Sequence, residues 1–74
     1  MKSLKFNGEK VRSLRLERNW TQFEVAEQMV ATGKFKGQTR QRVHQIETGA
    51  HASAKTICAL CEVFDVPPEY FFDC

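Results

Sequence analysis

An all-α fold, a compact bundle of five short helices, follows from three features of this 74-residue chain. Apolar residues recur three or four apart in one segment after another, the spacing that puts side chains on one face of an α-helix. Asn7, Thr21, Thr39, Ser53 or Pro68, each a helix-start residue, stands before one of those segments. No strands are evident.

The first helix is expected to run from Asn7, as N-cap, to about Arg18. Val11 and Leu14 share its inner face, and Arg15 and Arg18 lie beside them. Asn19 suits the left-handed residue that ends a helix. The second helix opens on Thr21-Gln-Phe-Glu24, a capping box in which hydroxyl and carboxylate each satisfy a free backbone N–H. Trp20 and Val25 have the spacing of a hydrophobic staple. Val25, Ala26 and Met29 form its inner stripe, where the small Ala26 lets another helix cross close by.

Val30 to Gln38 reads as a loop, because Gly33 and Gly37 bracket Lys34-Phe35-Lys36. Phe23, Val30 and Phe35 are placed to form a small cluster anchoring it. The third helix is capped by Thr39 and ends near Thr48, with Gly49 as a left-handed C-terminal glycine. Ser53 caps a fourth helix that buries Ile57, Leu60, Cys61 and Phe64. Asp65-Val66 turns the chain, and Pro68 starts a short fifth helix through Tyr70, Phe71 and Phe72.

The helix from Thr39 to Thr48 carries the most information about function. Val43 and Ile46 are three apart and point into the core. At roughly 100° per residue, Gln41, His44, Gln45 and Thr48 gather on the opposite side, with Arg40 and Arg42 on the flanks. A glutamine amide satisfies an adenine edge bidentately; an arginine does the same for guanine and also holds phosphates. Such a face suits the major groove of duplex DNA.

Size and composition agree. Seventy-four residues make one domain, 1–74, with one small core. Hydrophobic residues reach 42%, enough for a folded globule. The net charge of +2 hides an asymmetry: residues 1–46 hold ten Lys/Arg against four Glu, and residues 47–74 hold one Lys against five Asp/Glu. A basic end fits a polyanion approached from one side, although solvated surfaces are often uneven too. No apolar run approaches bilayer length, and the first residues hold no secretory h-region. Three cysteines, an odd number, argue against a secreted disulfide scaffold, so a cytoplasmic setting is expected.

Several chemistries find no support. A zinc site needs four ligands, and Cys58-x-x-Cys61 has only Cys74, His44 and His51 to join it, at no recognised spacing. Cys58 and Cys61 read instead as small hydrophobes on the core side of the fourth helix, and Cys74 as an exposed thiol. No carboxylate pair, nucleophile triad or phosphate loop is present, so no enzyme, metal or cofactor is expected.

The matching strings Gly8-Glu-Lys-Val-Arg-Ser-Leu-Arg15, Trp20-Thr-Gln22, Val25-Ala26, Thr39 to Glu47 with Gly49, Ser53 to Val66 and Pro68 to Phe72 together resemble a Cro/Xre-type helix-turn-helix domain, as in lambdoid phage repressors. The resemblance covers about residues 7–72, with the helix-turn-helix at 21–49. It implies a lambda-repressor-like five-helix bundle whose third helix, 39–48, lies in the major groove. By position, Arg40, Gln41 and Gln45 fall where the family reads bases, with Arg42 and His44 adjacent. Gln22, at the start of the second helix, falls on a phosphate, as a helix N-terminus favours anions. Thr39 falls on the phosphate side as well. Arg15 and Glu47 occupy the positions of a partly buried ion pair.

The chain departs from this family in two places. The usual turn between the second and third helices has three or four residues, so the 30–38 loop is enlarged. Its Lys34 and Lys36 are placed to reach a phosphate, unless the loop is a tolerated surface insertion. After Gly49 the chain has Ala50-His51-Ala52-Ser53-Ala54 where relatives often carry Lys, Arg or Asn. Phosphate anchoring there rests on backbone N–H groups, Ser53, Lys55 and His51. The resemblance implies a sequence-specific transcriptional regulator, a repressor acting as a homodimer on double-stranded DNA. The rival reading is a protein-binding module, such as the antitoxin of a toxin–antitoxin pair, using Tyr70, Phe71 and Phe72.

Overall fold

Asn7 starts the first helix as its spacing requires: its side-chain oxygen accepts from the Glu9 N–H at 3.0 Å, and α1 runs Gly8–Glu17. The computed structural model describes residues 5–49 and 51–73. The expectation for Cys74 lies outside the described residues. Asn19 (φ 57°) ends the turn after α1 in the left-handed region. Thr21 and Glu24 form the reciprocal capping box, at 3.1 and 3.0 Å, and α2 runs Gln22–Ala31. The helix therefore carries through Val30 and Ala31, where a loop was expected to begin. Two further C=O groups, of Gln28 and Met29, take the Thr32 N–H, so the enlarged connection spans 32–39. Thr39 caps α3, Arg40–Thr48, through the Arg42 N–H at 3.1 Å. Ser53 caps α4, Ala54–Phe64, through the Thr56 N–H at 3.2 Å.

The five-helix expectation is overturned: the described residues hold four α-helices. Pro68–Phe71 is a single 3-10 turn, closed by the Tyr70 N–H on the Pro67 carbonyl at 3.1 Å. Pro67 and Pro68 supply no N–H, and four residues cannot build an α-helical ladder. The chain then leaves the turn at once for a strand. Lys5–Phe6 (β1) and Phe72–Asp73 (β2) pair antiparallel, Phe6 opposite Phe72, a pairing that was not expected. Two-residue strands show no periodicity, and these lie at opposite ends of the sequence. Around them Asn7 Nδ2 donates to Asp73 at 2.8 Å, and Lys10 lies 3.3 Å from the same carboxylate.

The four helices enclose one core. Val11, Leu14, Val25, Ala26, Met29, Val43, Ile46, Leu60 and Phe64 are buried in it, closed at the chain ends by Phe6 and Phe71. α1 and α2 both pack on α3, so its inner edge is held from two sides. Arg18 ties α1 to the end of α4: its guanidinium lies 5.1 Å from the Phe64 ring centroid and donates to the Phe64 carbonyl at 3.1 Å. A cation over a ring and at a helix C-terminus is favourable on both counts.

Three packing details differ from expectation. α4 is rotated, so Thr56 and Ala59 are buried, Ile57 and Cys61 half-buried, and Cys58 exposed. Burial of Thr56 is tolerable because the Ser53 hydroxyl donates to its hydroxyl at 3.0 Å. Phe35 packs against the core edge, but Phe23 is 57% exposed and belongs to no loop cluster. Gly49 is extended (φ −94°, ψ 169°) rather than left-handed. Its lack of a side chain matters for closeness instead, since a Cβ there would stand 2.8 Å from the Gln45 carbonyl oxygen.

Candidate nucleic-acid interface

Along α3 the two edges separate cleanly. Val43, Ile46 and Glu47 are buried, whereas Arg40, Gln41, Arg42, His44, Gln45 and Thr48 are all exposed. The polar face is partly organised before any ligand arrives, with Arg42 Nη1 donating to Gln45 Oε1 at 3.3 Å. Gln22, Arg40, Gln41 and His44 line one shallow depression between the starts of α2 and α3.

Behind this face lies a buried polar chain. Glu47 is 3% exposed, and its carboxylate accepts from Arg15 Nε at 2.7 Å and Arg15 Nη2 at 3.2 Å. Arg15 Nη1 also donates to the Trp20 carbonyl at 3.0 Å, so α1, α3 and the start of α2 meet at one guanidinium. A bidentate, charge-assisted fork of this kind fixes orientation as well as energy. The Gln22 amide donates to Glu47 Oε1 at 3.1 Å and lies 3.3 Å from His44 Nδ1. Among the described residues no buried side-chain nitrogen or oxygen lacks a partner.

The basic residues of the periphery are unequally free. Lys34 donates to Glu62 on α4 at 2.8 Å, and this bond raises the ammonium above its ordinary pKa. Lys36 is exposed. The Lys55 ammonium lies 4.7 Å from the Phe35 ring centroid, which clamps the loop to the first turn of α4. Ser53 and His51 are exposed beside it, and the Thr39 and Ser53 hydroxyls serve as helix caps.

One residue and one contact were not visible in the sequence. Gly8 sits where α1 crosses the end of α3, and a Cβ there would meet the carbonyls of Ile46 and Glu47, with the Glu47 carbonyl carbon only 2.7 Å away. A glycine just after an N-cap was the one available signal. The tie from Gln22 to Glu47 and His44 spans two helices and left no trace in local spacing.

Cys58 is exposed rather than on the core side, whereas Cys61 is half-buried against the core; burial pushes its thiol pKa up, aided by the neighbouring Cys58 and Glu69 charges. Among the described residues no three His, Cys, Asp or Glu side chains gather to hold a metal, and no helix is long and apolar enough to cross a membrane.

A model of the helix-turn-helix family matches residues 11–71, from the first helix to the 3-10 turn. No curated protein and no solved structure matches the chain.

Proposed function

The chain belongs to the Cro/C1-type helix-turn-helix family of DNA-binding regulators, and from that premise we propose that it is a repressor whose α3 reads bases in the major groove. One observation carries the reading: Arg40, Gln41, Arg42, His44 and Gln45 of α3 are all exposed, while Val43, Ile46 and Glu47 on the opposite edge are buried. Gln41 and Gln45 offer paired donor and acceptor to adenine, and Arg40 offers a fork to guanine. Arg42 and His44 complete the face.

Phosphates are held around that face, which fixes register without reading sequence. Gln22 serves through its backbone N–H at the start of α2, because its side-chain amide is taken by Glu47 and His44. Thr39, Lys36, Ser53 and Lys55 ring the rest, with Lys34 following if its bond to Glu62 opens. Two copies bind together through the exposed side of α4 and the 3-10 turn. The antitoxin reading gains less support, since of Tyr70, Phe71 and Phe72 only Tyr70 is exposed.

Selection of bound duplexes from a random pool at fixed salt tests the proposal. Two inverted half-sites about 34 Å apart are expected. A pool that stays random through selection would overturn it.

A further inference from the structure

His44 is an exposed side chain with an unusually well-defined neighbour. The Gln22 amide nitrogen lies 3.3 Å from His44 Nδ1 and 3.1 Å from Glu47 Oε1. A carboxylate only accepts, so the edge of the Gln22 amide that faces Glu47 must be its NH2 group. Glu47 is itself held by two bonds from Arg15, which prevents the amide from being turned round by a moving partner. An NH2 group only donates. His44 Nδ1 therefore accepts, and in the neutral ring the proton resides on Nε2. The two ring nitrogens lie on diverging edges, so a bond at Nδ1 turns Nε2–H away from Gln22. His44 lines the same depression as Arg40 and Gln41.

We infer that His44 presents a fixed Nε2–H donor to the groove, with Gln22 and Glu47 as positioning residues, and that this donor recognises N7 of a guanine. The inference rests on the proposal that α3 lies in the major groove. Guanine matches best among the bases because its N7 stands beside a second acceptor, O6, and no donor opposes the N–H. Adenine sets an amino donor next to its N7, cytosine offers a donor, and thymine places a methyl beside O4. A free histidine would offer either tautomer and would discriminate less. The buried chain Arg15–Glu47–Gln22 thus reaches the surface as a choice of proton position.

Two measurements separate this inference from the reading it rests on. Ring nitrogen NMR shifts of the free protein, taken where His44 is neutral, should show the proton on Nε2 alone. In Gln22→Met they should move to the average of both tautomers. A wild-type ring with Nδ1–H, or one already mixed, would overturn the inference without any DNA. In the selected duplex, 7-deazaguanine substituted one guanine at a time should weaken wild-type binding about three- to tenfold at one position, the worth of one hydrogen bond. The same substitution should cost His44→Ala nothing further there. Equal losses in wild type and His44→Ala at every guanine would overturn the inference alone. Failure to prefer any duplex would overturn both.

Discussion

Glu47 is the one carboxylate buried among the described residues, and it accepts three hydrogen bonds there, two from Arg15 and one from Gln22. Arg15→Ala would leave it with Gln22 as its only partner. Breaking a buried pair from one side costs roughly 3–5 kcal/mol, against about 0–1 for a surface pair. Urea unfolding of Arg15→Ala should show the larger loss; a midpoint equal to the parent's would contradict the buried pairing. Gly8 sets two effects against each other. Alanine would gain up to about 1 kcal/mol of helix propensity. It would also push a methyl into the Ile46 and Glu47 carbonyls, which are backbone and cannot swing aside. Overpacking costs about 1–3 kcal/mol, so Gly8→Ala should destabilise. A stabilised variant in the same experiment would show that α1 and α3 can part.

Among the elements, those written in local chemistry were legible in the sequence. Asn7, Thr21 with Glu24, Thr39 and Ser53 each cap the helix they precede. The rest depended on distant partners. β1 and β2 exist because Phe6 and Phe72 meet across the whole chain, and that pairing cuts the expected fifth helix to one 3-10 turn. The rotation of α4 was also invisible, because Ile57 and Cys61 look as apolar as Ala59 and Leu60. Its consequence is measurable: an alkylating thiol reagent followed by peptide mapping should modify Cys58 before Cys61, whose thiol is half-buried with a raised pKa. Faster modification of Cys61 would place the helix in the other rotation. The 32–39 connection makes a separate prediction. Its ties to α4 are Lys34 to Glu62 and Lys55 over Phe35, so Lys34→Ala should hasten proteolysis near Phe35. Lys36→Ala should leave proteolysis unchanged and lower the salt slope of DNA binding by about one. Because Glu62 raises the Lys34 pKa, its bridge is fully charged at neutral pH and is lost only as pH rises through that raised value.

The whole molecule measures 37 × 23 × 21 Å and carries one α3. It cannot by itself reach two half-sites about 34 Å apart, so a palindromic site requires a second copy. Its charge is polarised along the chain, with the Lys/Arg surplus before Glu47 and the acidic surplus after it. The basic surplus thus falls on the part of the chain that holds α1 to α3, and the acidic surplus on the part that holds α4 and the 3-10 turn. The candidate face was legible in advance because helical geometry alone sorts Gln41 and Gln45 from Val43 and Ile46. The tether from Gln22 to His44 was not, since it needs α2 and α3 docked together. The central question is whether α3 reads bases. Binding of wild type and Gln41→Ala to the selected site and to random duplex, across a range of salt, tests this most directly. A loss of roughly 1–3 kcal/mol confined to the selected site, with an unchanged salt slope, is expected. An equal loss on both duplexes, or none on either, would contradict it.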